Sequence, residues 1–226
     1  KNWVTSGENC DLIIFFCKTE KGAGSKGISA FIIEKDTPGL TTGKKEEKLG
    51  IRASDTCELY FDNCVIPASN LIGSPGQGFS IAMQALGGGR IGIASQSVGL
   101  ARAALDKTIS YAQEREQFGK IIAKFGAIQN KIADMATNIE AARLLVMQAA
   151  TLKDQGKEYI KESSMAKLFA SSTAMSAATE CVQVHGGYGY MQEYGVERLM
   201  RDAKITEIYE GTSEIQRLVI SRELLK

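Results

Sequence analysis

The residues best suited to chemistry lie close together near the carboxyl terminus of the chain. Glu210 is followed by Gly211, which lets backbone approach a ligand, and then by Thr212 and Ser213, which are good helix N-cap residues. Ser213 and Gln216 also have the spacing of a capping box. The pattern predicts a turn at Gly211 and a helix after it, with the Glu210 carboxylate at the corner. In a dry cleft that carboxylate has a raised pKa and can act as a general base, whereas spacing alone favours an ordinary surface glutamate.

Two glycine-rich segments have contrasting interpretations. Gly87, Gly88 and Gly89 precede Arg90 inside a predicted helix, where each glycine costs roughly 1 kcal/mol relative to alanine. Close approach of a ligand or of another part of the backbone is the usual reason for such glycines. The segment 22–27 matches G-x-G-x-x-G, but a β-like run follows it where a dinucleotide-binding fingerprint needs a helix. We therefore interpret this segment as a hairpin loop.

Composition excludes several classes of protein. The 226 residues carry a net charge of +1, which gives no basic surface for nucleic acid. Five cysteines without a C-x-x-C pair favour reduced thiols and an intracellular setting, either bacterial cytoplasm or mitochondrial matrix. A single histidine, His185, argues against a metal site, and no apolar run approaches the roughly 20 residues that span a bilayer. We expect a soluble intracellular protein, or a piece of one, with no nucleic-acid or membrane partner.

The elements that must position these residues change character along the chain. Leu12–Cys17, Ile28–Ile33 and the segment 57–61 are short β-like runs. After Gly76 the apolar period becomes helical, as in the stripe Ile128, Ile132, Met135, Ile139, Ala142, Val146 and Ala149. Further helices are predicted over about 78–113, 160–184, 196–203 and 213–225. The predicted fold class is α+β: a partial, antiparallel, barrel-like or sandwich-like β domain over residues 1–72, followed by an antiparallel helical bundle over 73–226.

Five motifs, in order and in spacing, resemble the acyl-CoA dehydrogenase family and most of all its short-chain (butyryl-CoA) branch. They are Trp3-Val-Thr, Gly89-Arg90, Arg115-x-x-Phe-Gly, Gln183-x-x-Gly-Gly and Glu210-Gly-Thr. The resemblance implies that Glu210 removes the α-proton of an acyl-CoA while a hydride passes to FAD. It implies FAD contacts at Trp3, Val4, Thr5, Arg115, Phe118, Gln183, Val184, His185, Gly186, Gly187, Thr212, Ser213 and Glu214. It implies acyl-CoA contacts at Gly87, Arg90, Tyr209 and Gly211, with no metal.

The same resemblance implies partners. Electrons are expected to leave to an electron-transfer flavoprotein, and a homo-oligomer, a dimer of dimers, is expected because the family's arginine at position 115 reaches the FAD of a neighbouring subunit. A guanidinium suits that contact, since it pairs with phosphate in a bidentate manner. Gly89 stands where some relatives carry their base, which leaves Glu210 as the candidate. Gly87 stands where the family usually has Asp, and Gly126 stands where it usually has Gln. The resemblance does not include the family's N-terminal region.

Two alternatives to the dehydrogenase remain open from the sequence. The same site can run in reverse as an enoyl-CoA or acryloyl-CoA reductase, because the direction depends on the flavin potential and the electron partner. The chain can also be a non-catalytic assembly fragment that uses only its helical bundle. A flavin absorption band in the purified protein, expected near about 450 nm, distinguishes an enzyme from that fragment.

Overall fold

A computed structural model describes all of residues 1–226 and confirms the predicted α+β fold class. Small antiparallel sheets come first and five helices follow. The chain forms two compact units, Lys1–Leu86 and Gly87–Lys226, and the boundary between them falls inside the first helix. The predicted boundary at residues 72 and 73 lies in the connection just before that helix.

The first unit contains two three-stranded sheets, with strand orders β1-β5-β4 and β2-β3-β6. Their strands are β1 Val4–Thr5, β2 Leu12–Lys18, β3 Ile28–Glu34, β4 Leu40–Lys45, β5 Thr56–Phe61 and β6 Leu71–Ile72. Alternating side chains of β2, β3 and β5 form the core of this unit, namely Ile13, Ile33, Cys57 and Leu59. The two sheets do not close into a barrel.

The segment that matches G-x-G-x-x-G lies in a hairpin connection, as the sequence predicts. Strands β2 and β3 pair antiparallel from Leu12 opposite Glu34 to Lys18 opposite Ile28. Between them the chain makes one short 3-10 turn at Gly24–Gly27 and then enters β3 directly. No α-helix begins there, so the segment lacks the helix N-terminus that a dinucleotide fingerprint requires.

The second unit is built mainly from helices. They are α1 Gly78–Glu114, α2 Gly126–Asp154, α3 Ile160–His185, α4 Val196–Thr206 and α5 Ser213–Leu224. A two-stranded hairpin, β7 Glu116–Gln117 and β8 Lys120–Ile121, connects α1 to α2. The sequence predicts α1, α3, α4 and α5 to within a few residues and the apolar stripe of α2, but it does not predict this hairpin. No helix of the chain is long and apolar enough to cross a membrane.

Helix α3 is the central element of this unit, because it packs against α2, α4 and α5. Its buried positions are mostly small residues, which let neighbouring helices approach closely: Ser163, Ser164, Ala166, Ala170, Ser171, Ala174, Ala177 and Ala178. The predicted stripe of α2 is buried from Met135 to Ala149. A charged side chain, the fully buried Lys167, interrupts the buried face of α3 in its first half.

Candidate active site

The Glu210 corner has an unusual backbone. Glu210 and Gly211 both have positive φ angles, 55° and 95°, in the connection between α4 and α5. A left-handed conformation is uncommon for a residue with a side chain and carries a cost that the surroundings must offset. The turn therefore begins one residue earlier than the sequence predicts, at Glu210 itself.

The predicted capping box at the start of α5 is wrong. Thr212 is the N-cap residue, and its Oγ1 accepts a hydrogen bond of 3.4 Å from the backbone N–H of Ile215. Gln216 does not reach back to a cap because its fully buried side chain is occupied elsewhere. Its Nε2 donates to the carbonyl oxygens of Glu210 at 3.2 Å and Gly211 at 2.9 Å. The side chain with capping-box spacing instead binds the corner.

The Glu210 carboxylate lies against α1 at Gly89. A Cβ atom added to Gly89 would be 2.9 Å from Cδ of Glu210 and closer still to Oε2. At Gly87 an added Cβ would meet Ile160 Cδ1 at 2.9 Å and the Tyr159 hydroxyl at 3.0 Å. Close approach therefore explains two of the three helical glycines. At Gly89 the neighbour is the candidate base, and at Gly87 it is another part of the protein. Gly87, a predicted acyl-CoA contact, thus packs against Tyr159 and Ile160.

Two buried cations accompany the carboxylate. Arg90 is 6 % exposed, its Nη1 donates to Ser164 Oγ at 3.3 Å, and its Nε has no hydrogen-bond partner. Lys167 is 0 % exposed and its Nζ donates to the Gly211 carbonyl at 2.8 Å. Burial lowers the pKa of Arg90 and lowers the pKa of Lys167 to about 8. The site thus combines one half-buried carboxylate with two buried cationic side chains.

Burial raises the pKa of Glu210 above its ordinary value, while the charges of Arg90 and Lys167 act in the opposite direction. A half-buried carboxylate with a raised pKa is a better proton acceptor than a solvated one. The neighbouring Tyr209 is also partly buried, and its hydroxyl donates to the Gln96 side chain on α1. The corner can therefore take a proton from a substrate that lies beside Gly89.

A second group of predicted residues lies around the end of α3. Arg115, His185, Gly186, Gly187 and Val184 line one cavity of about 480 Å³. The buried His185 ring stacks on Tyr111 with 4.1 Å between centroids, and its Nδ1 lies 2.8 Å from the Cys181 carbonyl. Burial lowers the pKa of His185 below its ordinary value. Gln183 directly precedes the lining residue Val184 in the sequence, and its side chain is exposed.

The cavity presents one cationic side chain and open glycine backbone. The Arg115 guanidinium lies 5.2 Å from the centroid of Tyr188, and a Cβ added to Gly186 or Gly187 would meet no atom within 4 Å. A guanidinium beside open glycine backbone suits the phosphates of a dinucleotide such as FAD. No three His, Cys, Asp or Glu side chains converge as a metal site requires.

The β7–β8 hairpin carries another predicted contact at its tip. Phe118 and Gly119 both have positive φ, 52° and 77°, which is typical of a type I′ turn. The Phe118 ring is 92 % exposed and touches Phe125 edge to face, with 6.2 Å between centroids. A phenylalanine in that conformation contributes little to its own unit and is available to a ligand or a second subunit.

The remaining predicted FAD contacts lie in other elements. Trp3 is 76 % exposed with a φ of 53°, and Val4 and Thr5 pair with Cys57 and Thr56 in the first unit. Thr212, Ser213 and Glu214 start α5 in the second unit. Within the second unit, the site residues form two groups. Arg115 lies with residues 184–187 around one cavity. Glu210 lies with Gly89, Arg90 and Lys167 at the corner before α5.

Two models of known protein families match the chain. The middle domain of acyl-CoA dehydrogenase matches residues 1–64, and the C-terminal domain of acyl-CoA dehydrogenase matches residues 76–225. The chain belongs to the acyl-CoA dehydrogenase family. The resemblance found from the motifs is therefore confirmed at the level of the family, and flavoproteins of this family imply FAD as the cofactor.

Individual acyl-CoA dehydrogenases and a related reductase are similar over the whole chain. An acyl-CoA dehydrogenase of Bacillus subtilis is 56% identical over 225 residues, which is 100% of this chain and 59% of that protein. The acryloyl-CoA reductase (NADH) of Anaerotignum propionicum is 52% identical over 100% of this chain and 57% of its own length. The structure of butyryl-CoA dehydrogenase from Megasphaera elsdenii is 51% identical, covers 100% of this chain and 59% of that chain, and has a TM-score of 0.99. This chain thus spans about three-fifths of the relatives it matches.

Sequence reasoning missed Lys167, Ser164 and Gln216 as parts of the site. Their positions contain one usable signal, because Lys167, Ala170, Ala174 and Ala178 fall on one helical stripe of small residues. A lysine on the buried stripe of a helix needs a specific partner. That partner is a carbonyl more than 40 residues away in the chain, which periodicity does not reveal.

Proposed function

We propose that this protein oxidises a short-chain acyl-CoA to the trans-2-enoyl-CoA, with Glu210 as the base that takes the α-proton. The observation that carries the proposal is the Glu210 carboxylate itself, half-buried and lying against the side-chain-free backbone of Gly89. Buried Arg90 and Lys167 keep compensating positive charge near that carboxylate. The similarity to butyryl-CoA dehydrogenase supports a short acyl chain.

Each side chain has a limited task in this reaction. Tyr209 and Gly211 flank Glu210 and are the proposed acyl-CoA contacts, together with Gly87 and Arg90. Exclusion of water around the corner keeps the carboxylate basic and strengthens its electrostatic interactions. FAD, when bound, supplies the acceptor for the hydride that leaves the β-carbon. Arg115, Phe118, the 183–187 segment, the start of α5 and Trp3 to Thr5 are proposed to hold it.

Substitution of the base tests the proposal. Glu210→Gln removes the proton acceptor and keeps the side-chain shape, so the purified flavin-loaded protein is expected to stay yellow. Its reduction by butyryl-CoA, followed by loss of flavin absorbance, is expected to slow by about 10²–10⁴-fold, the usual contribution of a positioned base.

Glu193→Gln is a matched control, because Glu193 is exposed in the connection before α4. It is expected to reduce at the unsubstituted rate. Bleaching of Glu210→Gln by butyryl-CoA at a near-normal rate would contradict the assignment of Glu210. A purified protein that never carries flavin would favour the non-catalytic assembly fragment instead.

A second candidate function is reduction of an enoyl-CoA such as acryloyl-CoA. The 52% identity to an acryloyl-CoA reductase over the whole chain favours keeping it. Glu210 would then deliver the α-proton to the substrate. Steady-state assays in both directions separate the two: butyryl-CoA with an artificial electron acceptor, and enoyl-CoA with a reduced electron donor.

The similarity to the family also suggests an electron acceptor and an oligomeric state for this protein. We propose that an electron-transfer flavoprotein accepts the electrons and that the protein is a homo-oligomer, a dimer of dimers. The exposed Phe118 at the hairpin tip supports a contact outside its own unit. The compartment, bacterial cytoplasm or mitochondrial matrix, stays a prediction.

A further inference from the structure

The peptide groups of the Glu210 corner are bound by two fully buried polar side chains. Gln216 on α5 donates its Nε2 to the carbonyls of both Glu210 and Gly211. Lys167 on α3 donates its Nζ to the Gly211 carbonyl at 2.8 Å. These bonds come from two different helices and meet on two consecutive residues with positive φ. The left-handed corner is therefore fixed from outside its own segment.

The burial of Lys167 has no explanation in ordinary ion pairing. Its ammonium is completely inaccessible to solvent, and no carboxylate forms a salt bridge with it. Removing an ammonium group from water is expensive unless the group binds something specific. What Lys167 binds is the peptide immediately after the candidate base. A methionine or leucine would fill the same space on α3 without that expense.

Four charged groups act on the Lys167 ammonium, and none of them is on α2. They are Arg90 on α1, Glu207 after α4, Glu210 at the corner and Glu214 on α5. Glu207 is already bound to Lys204, and its carbonyl accepts from Ser213. Glu214 is exposed. Of the three carboxylates, Glu210 is the one whose own residue directly precedes the Gly211 peptide that Lys167 holds.

We propose that Lys167 is a positioning residue for the candidate base: its ammonium, with the Gln216 amide, clamps the peptide groups of Glu210 and Gly211 so that the carboxylate stays against Gly89. This inference rests on the proposed role of Glu210. A correctly aimed base matters because small displacements of a reacting group reduce rates sharply. The clamp also places a positive charge near the carboxylate.

Lys167→Met tests the clamp without leaving a carbonyl unpaired, because Gly211 keeps its bond to Gln216. In the purified flavin-loaded protein we expect the limiting rate of flavin reduction by butyryl-CoA to fall at least tenfold. The affinity for butyryl-CoA, measured by spectral titration, is expected to stay within about threefold. We also expect the acid limb of the rate–pH profile to move to higher pH, since the carboxylate loses a nearby positive charge. A general loss of packing would slow the reaction without moving that limb.

Gln216→Met is the second variant, and it leaves Gly211 bound to Lys167. It is expected to lower the limiting rate in the same way, but without the shift of the acid limb, because no charge is removed. Lys131→Met is the matched control on α2, where the lysine pairs with Glu180 and touches none of the corner residues. The control is expected to keep the unsubstituted rate and profile.

The outcomes separate this inference from the proposed function. Folded Lys167→Met protein whose limiting rate and acid limb both match the unsubstituted protein would overturn the positioning role. So would a loss confined to weaker butyryl-CoA binding. If Glu210→Gln also reduces normally, then the proposed function itself is wrong. If Glu210→Gln is inactive while Lys167→Met is normal, only the clamp is wrong.

Discussion

At the scale of single residues, the site is built around a strained glutamate and a missing side chain. Glu210 has a φ of 55°, a conformation that costs an ordinary residue about 1–2 kcal/mol. Hydrogen bonds from Gln216 and Lys167 to the carbonyls of the corner offset that cost. Gly89 leaves room for the carboxylate on the facing helix. The lack of a side chain at Gly89 is thus what allows the Glu210 carboxylate to occupy its position.

Gly89→Ala separates stability from activity at this position. Alanine in place of a helical glycine is expected to favour α1 by about 0.5–1 kcal/mol. The new Cβ would nevertheless lie 2.9 Å from Cδ of Glu210, so the carboxylate must move away from its present place. We expect unchanged or higher resistance to urea, together with flavin reduction by butyryl-CoA that is slower by about tenfold or more.

Gly92→Ala is the matched control, since Gly92 is on the same helix and an added Cβ there meets nothing within 4 Å. It is expected to give the same gain in helix stability with no loss of rate. Equal rates in the Gly89→Ala and Gly92→Ala proteins would show that Glu210 does not work from the position seen here.

The residues of the site differ in how far the sequence reveals them. Glu210 and Gly89 are found because their local patterns, Glu-Gly-Thr and a triple glycine in a helix, are anomalous in themselves. Lys167 and Gln216 are missed because their roles depend on contacts 44 and 5–6 residues apart that only the folded chain creates. The spacing of Gln216 from Ser213 predicts a capping box, but the Gln216 side chain binds the corner carbonyls instead.

At the scale of elements, strongly periodic segments are predicted well and short ones are not. The five helices and the β2–β3 hairpin follow from long apolar repeats. Strands β1 and β6 are two residues each, and β4 contains the sequence Leu-Thr-Thr-Gly-Lys-Lys, which has little apolar alternation. The β7–β8 hairpin has polar strands and a Phe-Gly turn in place of the usual Asn-Gly. Tertiary pairing decides such elements, not local pattern.

The β7–β8 hairpin gives a prediction about cofactor retention. Phe118→Asn places a residue that tolerates positive φ at a position with a φ of 52°. Because the ring is 92 % exposed, we expect the free energy of unfolding to change by less than about 0.5 kcal/mol. If Phe118 contacts the flavin as proposed, the ratio of flavin to protein absorbance after gel filtration is expected to fall.

Leu225→Asn serves as the control for exposed apolar surface, because Leu225 is 85% exposed at the end of the chain. It is expected to retain flavin fully. Full flavin retention and an unchanged elution volume in Phe118→Asn would remove Phe118 from both proposed roles, the FAD contact and the subunit contact.

At the scale of the whole molecule, the helical unit buries charged groups, which costs stability. The chain is nearly neutral, with a net charge of +1, so its overall field is weak. Within the unit, burial lowers the pKa of Arg90 and Lys167 and raises the pKa of Glu210. In each case burial works against the charged form. The stability of the protein is therefore reduced at neutral pH by groups that the proposed reaction uses.

The pH dependence of stability follows from Lys167 with a definite sign. Its pKa falls from 10.5 to about 8 on folding, so between those values the unfolded chain binds a proton that the folded protein has lost. The unfolding free energy contributed by this group therefore rises with pH across that window. Lys167→Met has no such group, and at pH 7 it is expected to be the more stable protein, by up to about 3 kcal/mol. Its advantage is expected to shrink as the pH rises from 8 to 10.5. Urea denaturation of both proteins at several pH values measures this difference, and an advantage that is constant or grows with pH would mean that Lys167 is not a buried cation at neutral pH.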